Sequence, residues 1–162
     1  MTLDLDMTLA EALVERKGLK DRLDSLKQRL AVNARVQEGD TPTETPEALL
    51  EQVDAAIAGL EQLTVAINRT NLAASLPGEE GWNLMEAIAR RDMLTLRQTI
   101  LQATIDAAQT TRERWAMTRN EVRSIAVADV AAMQKEIDAL GKQRRELDMR
   151  LQAANWTVRL AA

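Results

Sequence analysis

A chain of 162 residues without histidine or cysteine cannot form disulfides, thiolate or imidazole active sites, or the zinc sites that need those ligands. Its formal net charge of −4 argues against a general electrostatic attraction to nucleic acid or anionic lipid. Apolar residues make up 46% of the chain but aromatic residues only 2%, so the core has to be aliphatic, which favours helices over sheets.

The first helix is predicted over residues 8–36. Thr8 and Glu11 have the spacing of a capping box, and apolar residues then recur largely in steps of three and four. The apolar stripe consists of Leu9, Ala12, Leu19, Leu23, Leu26 and Leu30. Arg16 lies on the same side, and a turn containing glycine and proline follows the helix.

The second helix is predicted over residues 46–75, because Thr45 can cap it and Pro46 suits its first position. Two apolar rows lie side by side on this helix. The inner row is expected to be Leu50, Val53, Ile57, Leu60 and Ile67. The row expected to stay partly exposed is Leu49, Ala56 and Leu63. Since an exposed apolar patch is a liability in a free monomer, this second row is the candidate oligomer interface.

The third helix is predicted over residues 84–115 and the fourth over residues 129–155. The apolar stripe of the third helix is Leu84, Ala87, Leu94, Leu101, Ile105, Ala108 and Trp115. The stripe of the fourth helix is Val130, Met133, Ile137, Leu140, Leu147 and Leu151. Short connections between helices favour antiparallel neighbours.

These elements predict an all-α fold, an elongated up-down antiparallel bundle of four long amphipathic helices that forms a single domain over residues 1–162. Three short segments, at residues 3–7, 121–127 and 156–160, are predicted to be extended. We expect two of them to pair with each other.

Four arginines interrupt the apolar stripes and are candidates for a polar or anion site between helices. They are Arg16, Arg91, Arg112 and Arg144. A buried guanidinium needs a partner, so Arg91 is expected to pair with Glu86 or with a carboxylate of another helix. The alternative, which we favour, is that these arginines form ion pairs that fix the register of the helices or extend their charged ends to solvent.

An acidic row at the start of the second helix is the best candidate for a metal site. Glu44, Glu47, Glu51 and Asp54 recur at intervals of three and four, and helix carboxylates on one face can hold Mg²⁺ or Mn²⁺. All-helical nucleotide pyrophosphohydrolases bind metal in this way, so Glu47, Glu51 and Asp54 support a metal-dependent hydrolase as an alternative function. Acidic residues are nevertheless expected at any helix start, and no catalytic residue or cofactor is assigned.

The amino terminus lacks the charged and apolar regions of a secretory signal, and no run reaches transmembrane length. We therefore expect a cytoplasmic protein that does not enter a membrane. Arginines around Trp115 resemble a site for nucleic acid, but the net acidity and the glutamates among them argue against it.

Residues 33–40, NARVQEGD, and residues 45–50, TPEALL, resemble the septicolysin-like family of poorly characterised bacterial helical proteins. Further similarity lies at residues 67–71, 86–92, 145–148 and 155–156. The resemblance implies a helical, oligomeric protein without an assigned activity, and the family name adds a lipid-active cytolysin as a second alternative. The function predicted first is that of a non-enzymatic, self-associating helical scaffold or interaction protein.

Overall fold

The computed structural model of the chain describes residues 6–78, 81–114 and 125–161, with the side chains of residues 110–114 outside this description. The described residues form four helices: α1 Leu9–Asn33, α2 Pro46–Ala73, α3 Leu84–Arg114 and α4 Val130–Thr157. The all-α prediction is confirmed, and the helix bounds lie close to the predicted ones.

The first two helices begin where the sequence places their caps. Thr8 Oγ1 accepts a hydrogen bond from the Glu11 amide, and the Glu11 carboxylate accepts one from the Thr8 amide at 2.7 Å, which completes the capping box. Thr45 caps α2 by accepting from the Ala48 amide, with Pro46 at the first helical turn. Local sequence therefore determines both helix starts.

The chain divides into two compact units. One consists of Met1–Met85 together with Gln152–Ala162, and the other is Glu86–Leu151. That the whole chain is a single cooperative domain stays a prediction.

In the first unit, the last residues of the chain hold the start of α1 and the end of α2 together. The Leu9 amide donates to Val158 O at 2.8 Å, and the Leu160 amide donates to Met7 O at 3.0 Å. The Ala161 amide donates to the hydroxyl of Thr70 near the end of α2. The start of α1 and the end of α2 therefore lie close together, so these two helices are antiparallel.

These contacts join the head and tail of the chain as expected, but Trp156 and Thr157, predicted to be extended, belong to α4 instead. An antiparallel bridge joins Thr8 to Arg159, next to the hydrogen bonds just given. Residues 3–5 and 121–124 of the predicted extended segments lie outside the described residues.

The buried face of α2 is not the one expected from the sequence. The residues that α2 buries are Leu49, Ala56, Gly59, Leu63, Ala66, Ile67 and Thr70. Leu49 and Leu63 are 0% exposed and Ala56 is 4% exposed, whereas Leu50 and Ile57, expected inside, are both 50% exposed. The prediction that Leu49, Ala56 and Leu63 stay exposed as an oligomer interface is therefore wrong.

The buried row of α2 combines large aliphatic residues with small ones. Gly59, Ala56 and Ala66 let the backbone of α2 approach its neighbours closely, because helix spacing depends on the side chains at the contact.

In the second unit, α3 and α4 are antiparallel. Arg97 Nε donates to Glu136 at 2.9 Å, and Gln98 Nε2 donates to Ile137 O at 3.0 Å. Farther along, Arg91 Nε lies 3.9 Å from a carboxylate oxygen of Asp148. A lower residue number on α3 thus meets a higher one on α4, as expected for an antiparallel pair.

The stripe predicted to be the inner face of α3 is buried. Its fully or nearly buried members are Leu84, Ala87, Leu94, Leu101 and Ile105. On α4, Leu147 and Leu151 are buried and the earlier members of the predicted stripe are half-buried. The prediction of the inner α3 stripe is confirmed over these residues, while Trp115 lies outside the described residues.

A glycine inside α1 offers a direct test of this helix. Gly18 is exposed, and a Cβ added there meets nothing within 4 Å. Gly18→Ala is therefore expected to raise the free energy of unfolding by about 0.8–1 kcal/mol, the difference in helix propensity between the two residues. Urea denaturation followed by circular dichroism measures the change.

Gly141 of α4 provides the matched control. A Cβ at this glycine would lie 3.1 Å from Gln98 Nε2, which donates to the carbonyl of Ile137. Gly141→Ala is expected to stabilise less than Gly18→Ala because the added methyl group crowds this hydrogen bond. A larger gain at Gly141 than at Gly18 contradicts the close approach of α3 and α4.

Candidate functional site

A stripe of exposed apolar residues on α3 is the surface feature that most needs an explanation. Its members are Ala89, Met93, Leu96, Ile100 and Ala103. Met93, Leu96 and Ile100 are 54%, 51% and 50% exposed, and all five residues lie in the second unit. We call these five residues the outer stripe.

The outer stripe follows the helical repeat. Successive members are separated by four, three, four and three residues, so they lie above one another on one side of the helix. The buried stripe, which includes Leu94 and Leu101, lies on roughly the opposite side, since each residue turns the helix by about 100°. A helix with one packed neighbour needs a single apolar stripe, whereas α3 has two.

The exposed face of α2 is a weaker candidate. Leu50 and Ile57 are half exposed there, and the other members of their row are more buried, while Asp54 and Glu61 lie directly beside the exposed pair. These neighbouring carboxylates prevent a dry apolar contact along α2. The outer stripe of α3 has no charged residue at any of its five positions.

Sequence reasoning missed the outer stripe although its signal is visible. The buried α3 stripe already provides the one apolar face that an amphipathic helix is expected to have. A separate search for steps of three and four among the remaining apolar residues finds Met93, Leu96 and Ile100.

The arginine candidates are divided between the two units of the chain. Arg91 donates two hydrogen bonds to its neighbour Asp92 and lies near Asp148 of α4, so a carboxylate from another helix is present beside it. Arg144, also in the second unit, is half-buried, and its buried Nε has no hydrogen-bond partner among the described residues. Arg16 is half-buried in the first unit, and the side chain of Arg112 lies outside the described residues.

One member of the acidic row, Glu44, forms an ion pair with Arg29. Arg29 Nε donates to Glu44 at 2.8 Å, and a second hydrogen bond joins the guanidinium to the same carboxylate. These hydrogen bonds lower the pKa of Glu44 and keep the carboxylate charged and occupied. Asn33 also accepts from the Glu44 amide, so Arg29, Asn33 and Glu44 together organise the turn between α1 and α2.

The remaining acidic candidates, Glu47, Glu51 and Asp54, are exposed on α2. In the part of the chain that the structure describes, no group of three or more acidic residues is placed to hold a metal ion. An open depression of ≈ 440 Å³ next to Glu44 is lined by Arg29 and by polar and aliphatic residues, and its two charges neutralise each other. Among the described residues, no carboxylate of a second helix joins Glu47, Glu51 and Asp54 in a group that could hold a metal ion, and the metal site stays a prediction.

Over residues 6–78, 81–114 and 125–161, no helix is both long enough and apolar enough to cross a membrane. The antiparallel helix pairs define an all-α protein. A family model described as a family of unknown function, DUF6847, matches residues 16–160. The chain belongs to that family.

The assignment to a septicolysin-like family is therefore wrong, because the match to DUF6847 spans most of the chain and nothing in the comparisons points to the other family. The lipid-active alternative was based on that resemblance, so its basis is removed.

One solved structure resembles the chain over nearly its whole length. It is described as the crystal structure of a functionally unknown conserved protein from Corynebacterium diphtheriae. The two chains are 33% identical with a TM-score of 0.85, and the similarity covers 96% of this chain and 99% of that one. No curated protein matches the chain.

Proposed function

We propose that the protein is a non-enzymatic helical scaffold or interaction protein that self-associates through the outer stripe of α3. The observation that carries the proposal is the half exposure of Met93, Leu96 and Ile100 at helical spacing on one face. Contiguous apolar surface of this kind in a water-soluble helix is typical of a protein contact.

The energetic gain from covering this face is comparable to the cost of association. Burying a large apolar side chain completely stabilises by about 1.5–3 kcal/mol, so covering three half-exposed side chains on each of two copies contributes about 4–9 kcal/mol. Association costs about 4–15 kcal/mol in lost translational and rotational freedom. The stripe therefore supports a reversible, concentration-dependent complex more readily than an obligate one.

An interaction role also fits what the site lacks. The described residues present no metal-binding cluster, and the sequence contains no histidine or cysteine for nucleophilic or acid-base chemistry of the common kinds. The alternative of a metal-dependent hydrolase depends on Glu47, Glu51 and Asp54, which lie exposed along one helix. The outer stripe is the better supported site.

Sedimentation equilibrium of the wild-type protein over a range of micromolar concentrations tests the proposal. The average mass is expected to rise with concentration from the single-chain value of 18.0 kDa towards a multiple of it. A mass that stays at the single-chain value over the whole range overturns self-association.

A further inference from the structure

The outer stripe has the repeat of a two-helix coiled coil. Members separated by four and three residues occupy the two apolar positions of a heptad, with Met93 and Ile100 at the first, a, and Leu96 at the second, d. Among parallel coiled coils, a β-branched residue at the a position with leucine at the d position, as at Ile100 and Leu96, favours two strands. The alanines at residues 89 and 103 also occupy d positions and permit close approach of the backbones.

Charges of opposite sign border the two sides of the stripe. Arg90 and Arg97 lie along one side, at the e positions of the heptad, and Asp92 and Asp106 lie along the other, at the g positions. These flanking positions determine the orientation of a paired helix, because they face the partner across the apolar contact.

We infer that the occupant of the outer stripe is the same face of α3 from a second copy of this chain, lying parallel and in register. The inference rests on the proposed self-association and adds its geometry. In the parallel arrangement, Asp92 of one copy faces Arg97 of the other, and the twofold symmetry produces this attractive pair twice.

The antiparallel alternative brings like charges together. Flanking positions of the same kind face each other in that arrangement, so arginines would lie opposite arginines and aspartates opposite aspartates. Charge pairs at an exposed edge contribute little to affinity, but attraction in one orientation and repulsion in the other select between the two. The charge pattern thus favours the parallel pair.

Arg97 can serve both its own chain and the second copy. Its side chain is half exposed, and its Nε donates a hydrogen bond to Glu136. A guanidinium carries five N–H donors in a planar fork, so further donors remain. It can therefore bridge Glu136 of its own α4 and Asp92 of the second copy without leaving its present position.

Single-cysteine variants test the arrangement, since the natural chain contains no cysteine. Met93→Cys and Ala103→Cys lie about 15 Å apart along α3. In the parallel, in-register pair each cysteine meets its own twin with Cα atoms within about 7 Å, so each variant forms a disulfide dimer by itself under mild oxidation. Thr95→Cys, on another side of α3, is the control and is expected to remain uncrosslinked.

The outcomes separate the inference from the proposed function. If disulfide dimers form only when Met93→Cys and Ala103→Cys are mixed, and the wild-type protein still sediments as a dimer, the parallel arrangement is overturned. Self-association then stands. A wild-type protein that stays monomeric in sedimentation overturns both.

A charge reversal keeps the apolar stripe unchanged and provides a second measurement. In the parallel pair Asp92→Arg places an arginine opposite Arg97 in two symmetric contacts, so the dissociation constant is expected to rise about tenfold. In the antiparallel pair Asp92 lies opposite Asp106 of the second copy, so the same change replaces a repulsion with an attraction and the dissociation constant is expected to stay unchanged or fall. An unchanged or lower dissociation constant therefore overturns the inference even if a cysteine variant fails to associate.

Discussion

Leu49→Glu combined with Leu63→Glu is expected to unfold the first unit. Both leucines are 0% exposed, and replacing one buried leucine by alanine alone costs about 2–5 kcal/mol. Glutamate adds the penalty of a buried carboxylate without a partner. Two such changes exceed or match the total stability of a typical domain, about 5–15 kcal/mol. Far-ultraviolet circular dichroism should show a large loss of helix.

The neighbouring row of the same helix supplies the matched control. Leu50→Glu with Ile57→Glu also introduces two carboxylates into α2, but on the neighbouring row, where the side chains are half exposed. This variant is expected to keep its helix content and nearly its melting temperature, since exposed substitutions change stability little. If the Leu49 and Leu63 variant instead stays folded and the control unfolds, the orientation of α2 described above is wrong.

The starts of the first two helices were predictable because their determinants are local. Thr8 and Glu11 are three residues apart, and the hydrogen bonds between them need no contact with a distant part of the chain. Thr45 and Pro46 act in the same way at the start of α2. The predicted and observed helices therefore agree closely.

The rotation of α2 about its axis was not predictable from the same patterns. Both of its apolar rows are hydrophobic enough to be buried, and the choice between them depends on distant contacts. Thr70, in the buried row, accepts a hydrogen bond from the Ala161 amide, 91 residues further along the chain. Gly59 and Ala66 matter only once a neighbouring backbone lies against them. Hydrophobic periodicity contains neither piece of information.

The candidate site was only partly accessible from the sequence for a related reason. Self-association was expected from an excess of apolar surface on α2, but the structure buries Leu49 and Leu63 and leaves the outer stripe of α3 exposed. The stripe that the chain covers with its own helices becomes the core, and the other stripe stays exposed. The hydrogen bond from Gln98 to α4 is one of the contacts that orient α3 in this way. Spacing identifies the stripes, while packing determines their roles.

Leu96→Glu combined with Ile100→Glu is expected to abolish self-association while the folded monomer survives. Both side chains are about half exposed in the single chain, so charges there stay in contact with water and change the free energy of unfolding by little. In the pair, the same substitutions place four carboxylates at the apolar centre of the contact, each with a penalty of several kcal/mol. The dissociation constant should rise at least 100-fold, since each 1.4 kcal/mol is about a factor of ten.

The control for this variant is Thr95→Glu with Gln102→Glu, which adds the same two charges to α3 at exposed positions off the stripe. It is expected to associate like the wild type, whereas the Leu96 and Ile100 variant should sediment at the single-chain mass of 18.0 kDa with unchanged circular dichroism. Equal loss of association in both variants would point to net charge as the cause. Full association of the stripe variant would place the contact elsewhere, because four buried carboxylates are incompatible with an apolar interface at this face.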